Sequence, residues 1–205
     1  MPVFYKEGKT ILFIHIPKTG GTFVEALFKR NGYEIEFLAH GNNRGFLNTV
    51  MHISPQHLHL NVLENIFDLS KFDFIFTVVR NPIDRFKSEY RMRNPDGKVP
   101  INAWGERVME RFETNPGYLD NHLRPQVDFI NSHVHWYKLE NKLDEAWIQN
   151  INEQFNLNLI NKNLRPLNKS STEDNSRQHG EISESLKAAI HTYYHQDFEA
   201  FQYGI

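Results

Sequence analysis

Apolar runs alternate with amphipathic segments along the chain, and the apolar runs predict strands. Residues 11–16 (ILFIHI) and 74–79 (FIFTVV) are short and almost entirely apolar, a pattern typical of strands buried on both faces of a sheet. Residues 33–38 alternate apolar positions with glutamates, which predicts a strand with one solvated face. Residues 134–139 predict a further strand, so the chain is expected to contain a central sheet.

The amphipathic segments carry apolar residues three and four positions apart, which predicts helices over residues 22–29, 143–155 and 183–201. Another helix is predicted after Asn81, whose side chain can cap it, with Pro82 in the first helical position. Because buried strands alternate with helices, the sequence predicts an α/β fold. The expected form is a P-loop-like three-layer domain in which helices flank a mainly parallel central sheet.

Length and composition are those of an ordinary soluble globular protein. The 205 residues are predicted to form one domain over residues 1–205, with 40% hydrophobic and 23% charged residues. The formal net charge of −2 argues against a nucleic-acid-binding protein, and the absence of cysteine excludes disulfides and thiolate metal sites. The chain shows no signal peptide and no apolar run near the roughly 20 residues of a membrane span, so a cytoplasmic location is predicted.

The turn between the first apolar run and the helix after it has the composition of an anion site. Gly20 and Gly21 permit a positive φ or a close approach of other atoms. Lys18 adds a mobile cation, and Thr19 and Thr22 add hydroxyl donors. A strand–turn–helix unit also directs backbone N–H groups and the positive end of the helix dipole at one point, which favours a phosphate-like anion over a purely structural turn.

The residues around this turn do not follow the pattern of a nucleotide kinase. A Walker A loop places its lysine after the glycines, whereas Lys18 precedes them. The second buried strand ends in Arg80, where a kinase would be expected to offer a carboxylate for magnesium. An arginine provides a planar fork for a phosphate instead. Ser88 lies two helical turns after Asn81 and therefore on the same face as the helix start.

The motifs IHIPKTGGT and FIFTVVRNPIDRFKSEY, in this order, resemble the carbohydrate-type sulfotransferases, the second sulfotransferase family. The resemblance continues in HISPQHL, HLRPQVDFI, KLEN, LNKS and YYHQDFEAFQY and so covers nearly the whole chain. It implies a free-standing, bacterial-type enzyme that uses 3'-phosphoadenosine 5'-phosphosulfate (PAPS) and releases adenosine 3',5'-bisphosphate. No metal is expected to take part.

The resemblance also implies roles for individual residues. Arg80 and Ser88 would bind the 3'-phosphate of the donor. Lys169 and Ser170, in the long polar stretch of residues 161–181, would close over the nucleotide, with a solvated loop as the alternative interpretation. Phe23 would lie beside the 5'-phosphosulfate. The phosphosulfate itself would be held by the residues of the turn, which are Lys18, Thr19, Gly20, Gly21 and Thr22.

The attacking hydroxyl needs a base, and histidine is the favoured residue type because its ordinary pKa of about 6.5 leaves it largely neutral. Of the 11 histidines, His52 stands before the second buried strand, where many members of the family carry a histidine. Its apolar neighbours predict burial and a lowered pKa, which would keep it neutral. A core histidine bonded to the backbone is the alternative for His52. His57 and His59 are the other candidates, each also interpretable as a surface residue.

The acceptor side of the site is predicted from fewer signals. His122 and Arg124 in NHLRPQ are candidates for substrate binding, although a polar loop explains them equally well. Glu25 can face the same pocket or simply favour the start of its helix. His191 and His195 have a spacing that suits a metal, but no third ligand accompanies them, so no metal site is predicted.

The sequence thus predicts a PAPS-dependent sulfotransferase that acts on a hydroxyl, with a saccharide as the expected acceptor. Lys18 is expected to stabilise the leaving phosphate and His52 to act as the base. Two other classes remain open: a P-loop-type kinase or phosphotransferase, and a non-catalytic module that binds a nucleotide or glycan. The acceptor's identity and the oligomeric state leave no readable signal in the sequence.

Overall fold

A computed structural model describes residues 1–38, 50–115, 117–162 and 180–204 of the chain. Its strands are β1 (Val3–Lys6), β2 (Lys9–Ile14), β3 (Glu34–Glu36), β4 (Phe74–Val79) and β5 (His135–Lys138). Its α-helices are α1 (Gly21–Arg30), α2 (Leu60–Ile66), α3 (Pro82–Arg93), α4 (Ile101–Thr114), α5 (Glu145–Phe155), α6 (Glu184–Tyr193) and α7 (His195–Ala200). Among these described helices, none has the length and apolar character needed to span a membrane.

The described strands form one open sheet of order β3-β1-β2-β4-β5. The strands β2, β4 and β5 are parallel to one another, whereas β1 is antiparallel to both of its neighbours, β2 and β3. The prediction of an α/β fold is therefore confirmed, but the sheet is mixed rather than mainly parallel. Two consecutive residues with positive φ, Glu7 (51°) and Gly8 (81°), explain the difference, because they form a tight turn that reverses the chain between β1 and β2.

Both faces of the sheet are covered, because alternate residues of β2 and β4 enter two separate cores. Phe13 and Phe76 pack on one face against residues of α1 and α5. Leu12 and Ile75 pack on the other face with residues of α2 and the segment Gln126–Phe129. This alternation is the period of two expected for a strand, and it accounts for the unbroken apolar runs in the sequence.

A third core contains residues of the remaining helices. The helix predicted over residues 183–201 is divided here into α6 and α7. Tyr194 lies at the break and is 2% exposed; its hydroxyl donates to the carbonyl of Leu123 at 2.6 Å. The buried carboxylate of Asp197 accepts hydrogen bonds from the backbone N–H groups of Gln126 and Val127. These anchors fix the segment around residues 121–127 at the carboxyl end of the sheet.

Candidate active site

The turn between β2 and α1 has the backbone conformation expected for the predicted anion site, although some of its side chains are held in the interior. Gly20 caps α1 with a φ of 92°, and Lys18 also has a positive φ of 70°. Thr22 is exposed at the start of the helix. The hydroxyl of Thr19 is buried and donates to the carbonyl of Ile16 at 2.8 Å, so it stabilises the turn from inside. Thr22 and the amino end of α1 therefore remain as groups of the turn that a ligand can meet, together with Lys18, whose Nζ atom lies 3.2 Å from Sδ of Met92.

Phe23 lies outside this group because its side chain is 5% exposed within the core beneath α1. Its position on the inward stripe of the helix explains the burial. The predicted pair Lys169 and Ser170 lies outside the described residues.

The second glycine of the turn is required by a neighbouring ring rather than by backbone conformation. Gly21 already belongs to α1, and a Cβ atom on it would lie 2.3 Å from Nε2 of His15. Contacts that short do not occur in real structures, so any side chain at position 21 would displace the imidazole. The start of α1 and the His15 ring consequently touch directly.

Arg80, in the motif FIFTVVRNPIDRFKSEY, contacts the turn. It follows β4 directly, and its guanidinium donates to the carbonyl oxygen of Lys18 at 3.2 Å. Gln126 fixes its backbone by accepting from the Arg80 N–H at 2.9 Å and donating to the Arg80 carbonyl at 2.8 Å. Within the described ranges, no carboxylate forms an ion pair with this guanidinium. Ser88 is half-buried farther along α3, which begins at the predicted Asn81 cap.

Three histidines meet beside this turn, each bonded to a different carboxylate. His15 donates from Nδ1 to Glu25 at 2.6 Å, and His57 donates from Nδ1 to Asp120 at 2.8 Å. The third pair is His122 with Glu89 at 2.7 Å. The rings stand edge to face, with centroids 5.2 Å apart between His15 and His57 and 4.8 Å apart between His57 and His122.

The carboxylates of these three pairs are held by further donors. Gln56 donates from its side-chain amide to Glu25 at 2.8 Å. Ser54 donates its backbone N–H and its hydroxyl to the two oxygens of Asp120, at 2.6 and 2.9 Å. Arg93 donates to Glu89 at 2.8 Å. Each imidazole is consequently fixed in orientation, with Nε2 as its remaining nitrogen.

Burial sets the protonation of the group. It lowers the pKa of His15, His57 and His122 below the ordinary histidine value, although the paired carboxylate opposes the shift in each case. The imidazoles are therefore neutral near pH 7. Burial also lowers the pKa of Lys18, with Arg80 and Arg93 adding to the effect and Glu89 opposing it.

The structure separates two of the three candidate bases, His52 and His57. His52 is exposed, so the burial predicted for it is wrong. Its apolar neighbours Val50 and Met51 are themselves 61% and 40% exposed, which explains the failure of a prediction based on neighbours. His57, by contrast, is half-buried among the other rings at the end of the turn Pro55–His57, with its side chain 12% exposed.

The predicted acceptor-side residues lie in or next to the histidine group. Glu25 is 2% exposed and bonded to His15, and His122 forms the third pair. The side chain of Arg124 is used within its own segment, donating to Asn121 at 2.9 Å and to Asp128 at 2.8 Å. Among the described residues, His191 and His195 are not part of this group.

Arg85 is a structural residue that sequence reasoning missed. It is 1% exposed, and its guanidinium donates to three carbonyl oxygens, those of Pro17 at 3.1 Å, Arg124 at 2.8 Å and His122 at 2.8 Å. One side chain therefore ties the anion turn to the segment that carries His122. The sequence offered one signal for this role, because Arg85 stands beside the inward positions Ile83 and Phe86 of α3. An arginine is seldom buried without a specific partner, so its position in α3 indicated such a partner.

A cavity of about 610 Å3 lies elsewhere, at the amino ends of β4 and β5, with Phe74, His133 and His135 in its wall. The turn and Arg80 lie at the carboxyl ends of β2 and β4, on the opposite edge of the sheet. Ligands of open α/β sheets bind at the carboxyl ends of parallel strands, so we place the site at the turn and the histidines.

Comparison with known proteins identifies the family of the chain. Residues 1–204 match the sulfotransferase family, so the match covers almost all of the 205 residues. The chain therefore belongs to the sulfotransferase family, whose members transfer sulfuryl groups. No curated protein and no solved structure matches the chain.

Proposed function

We propose that the protein transfers a sulfuryl group from PAPS to a hydroxyl group of a saccharide and releases adenosine 3',5'-bisphosphate. The observation that carries the proposal is the direct contact between the start of α1 and the histidine group, made by the His15 ring against Gly21. An anion site for the donor and a set of neutral imidazoles for the acceptor are thus adjacent. The resemblance to carbohydrate-type enzymes supports the saccharide as the class of acceptor.

The donor would lie between the turn and α3. The free end of α1, with Lys18 and Thr22, suits the 5'-phosphosulfate. Arg80 suits the 3'-phosphate because, in the part of the chain that the structure describes, its guanidinium donates to a neutral carbonyl and keeps further donors for an anion. Ser88 would add a hydroxyl to the same phosphate from the next turns of α3.

We assign the base to His57. Its Nδ1 donates to Asp120, which leaves the lone pair of Nε2 to accept the proton of the attacking hydroxyl. As the acceptor oxygen bonds to sulfur, the bond from sulfur to the 5'-phosphate oxygen breaks. Lys18 and the end of α1 stabilise the charge that develops on that oxygen, so sulfuryl transfer requires no metal here. His122 would contact the acceptor.

The two other classes of function are less well supported. A kinase would need a carboxylate to hold magnesium near the phosphates, and the residue after β4 is Arg80. A non-catalytic binding module would have no use for the hydrogen-bonded His57–Asp120 pair beside the turn. Incubation of the protein with labelled PAPS and a panel of glycans and small hydroxylated metabolites tests the proposal, since sulfated product is expected only from a sulfotransferase.

Adenosine 3',5'-bisphosphate should stabilise the protein against heat far more than ATP or AMP. A ligand present at 100 times its dissociation constant adds about 2.7 kcal/mol to the free energy of unfolding, which a thermal melt detects easily. Arg80→Ala should weaken the binding of this nucleotide by about 1.5–3 kcal/mol, through loss of a charge-assisted contact. Arg107→Ala, which removes an exposed arginine of α4, serves as the control. Equal stabilisation by ATP would favour the kinase.

Asp120→Asn should lower turnover and also shift its pH dependence. The groups whose charges act on His57 are Asp120, His15 and the amino group of Met1. Burial lowers the pKa of His57 and Asp120 raises it, so removal of this carboxylate should lower the pKa further. The acidic limb of the pH–rate profile should then move to lower pH than in the wild type. An unchanged limb would mean that Asp120 does not position the base.

A further inference from the structure

The histidine group contains a set of metal-ligating side chains in addition to a base. A nitrogen of His57, a nitrogen of His122 and a carboxylate oxygen of Asp120 all lie within 4.8 Å of one another. The side chains of both histidines are 12% exposed and that of Asp120 is 33% exposed, so solvent can reach the group from the carboxylate side. Two imidazoles and one carboxylate are a common ligand set for catalytic zinc ions.

His122 already has the surroundings of a metal ligand. Its Nδ1 donates to Glu89, which leaves Nε2 with a free lone pair, and Glu89 is in turn bonded by Arg93. Histidine ligands in proteins are held in this way, with the second nitrogen bonded to a carboxylate that fixes the tautomer and makes the ring more basic. Glu89 would thus lie in the outer shell of the site.

We propose that His57, Asp120 and His122 bind one transition metal ion of intermediate softness, with Zn²⁺ as the reference ion. The two nitrogen donors favour Zn²⁺ over Mg²⁺, which prefers oxygen ligands. Tetrahedral ligands about 2.0–2.1 Å from Zn²⁺ lie roughly 3.3 Å apart, so the three groups must approach by up to about 1.5 Å. The half-exposed Asp120 side chain has the room to do so.

The same ion should inhibit the enzyme reversibly, a consequence that rests on the proposed function. A metal ion bound by His57 removes the lone pair of Nε2 that would otherwise accept the proton of the acceptor hydroxyl. An ion on Nε2 occupies that lone pair, and an ion that replaces the proton on Nδ1 leaves Nε2 protonated. A loss of free metal would then release the base, and chelators should preserve or raise the activity. The site is therefore regulatory, and the transfer reaction itself proceeds without the ion.

Metal binding can be measured without any turnover. Chelator-treated protein is titrated with Zn²⁺ against a chromophoric chelator, and separately with Co²⁺, whose visible absorption is strong in a tetrahedral site and weak in water. We expect one equivalent to bind. Asp120→Asn and His122→Ala should each weaken binding by about 10- to 100-fold, and Glu89→Gln by about tenfold.

The matched controls are His191→Ala and His195→Ala, because these residues form a pair four positions apart in another part of the chain. They should bind Zn²⁺ as the wild type does. Variants are used only if adenosine 3',5'-bisphosphate still stabilises them against heat, which shows that they are folded. The proposal is overturned if the Asp120 and His122 variants bind as tightly as the controls, or if the controls lose the ion.

The activity of the wild type then separates this proposal from the proposed function. Inhibition at the same Zn²⁺ concentration that fills the site, reversed by a chelator, supports both. Stoichiometric binding without inhibition supports the metal site and rejects His57 as the base. Inhibition in the His122→Ala protein at the wild-type Zn²⁺ concentration would overturn the regulatory site.

Discussion

His57→Ala should reduce turnover by about 10²- to 10⁴-fold, the usual range for the loss of a general base, and leave the affinity for adenosine 3',5'-bisphosphate nearly unchanged. The hydroxyl that attacks sulfur must lose its proton as the new bond forms. The His57 imidazole can accept it because burial keeps the ring neutral and Asp120 holds its Nδ1–H. Steady-state rates and thermal melts with the nucleotide measure the two quantities on the same protein.

Two other histidines serve as comparisons for this result. His52→Ala should behave like the wild type, since the side chain is exposed and outside the group of three. His122→Ala should raise the KM for the acceptor and affect the maximal rate less than His57→Ala does. A protein inactivated by His52→Ala and unaffected by His57→Ala would return the base to the position first inferred from sequence.

Lys18→Ala should be the second most damaging change, with a loss of about 10²–10³-fold in kcat, the range seen when a donor to a developing oxyanion is removed. The ammonium group interacts most strongly when the 5'-phosphate oxygen has gained its charge, so turnover should fall more than binding. The kcat and KM for PAPS give the separation. A variant with unchanged kcat and a raised KM would show that Lys18 only binds the donor.

Lys18→Arg is the matched variant for this test because it keeps the positive charge. It should recover part of the lost rate, since a guanidinium can approach the same oxygen with different geometry. The backbone at position 18 has a positive φ of 70° in the lysine protein, and neither substitution relieves this conformation. The positive φ therefore destabilises both variants alike, and the difference between their rates reports the effect of the side chain.

Local patterns predicted much of the fold. The run FIFTVV forms β4 with the predicted bounds, and Asn81 caps α3 by accepting from the backbone of Ile83 and Asp84. Both features depend on residues that are close in the sequence, so they are readable without a structure. The strand β1 was not predicted because VFYK is short and carries little apolar periodicity. It is recognised only with the turn at Glu7 and Gly8 that pairs it to β2.

The residues of the candidate site that lie in short sequence motifs were predictable. Those that meet only when distant parts of the chain fold together were not. Gly20, Lys18 and Arg80 stand in short motifs, and the structure brings these motifs into contact. His57 meets His122 only because the chain returns to the same place after more than sixty residues, a distance at which no spacing rule applies. The prediction that His52 is buried failed for the same reason, because apolar neighbours in sequence do not determine which segments cover a residue.

The contact between His15 and Gly21 also has a consequence for the evolution of related sequences. The imidazole occupies the space where a Cβ atom on residue 21 would stand, so neither position can change freely while the other is kept. Relatives that retain a ring at position 15 should retain glycine at 21, and those with a small residue at 15 should tolerate alanine there. The pair should therefore covary across homologues, and its covariation marks the lineages that keep the histidine at the start of α1.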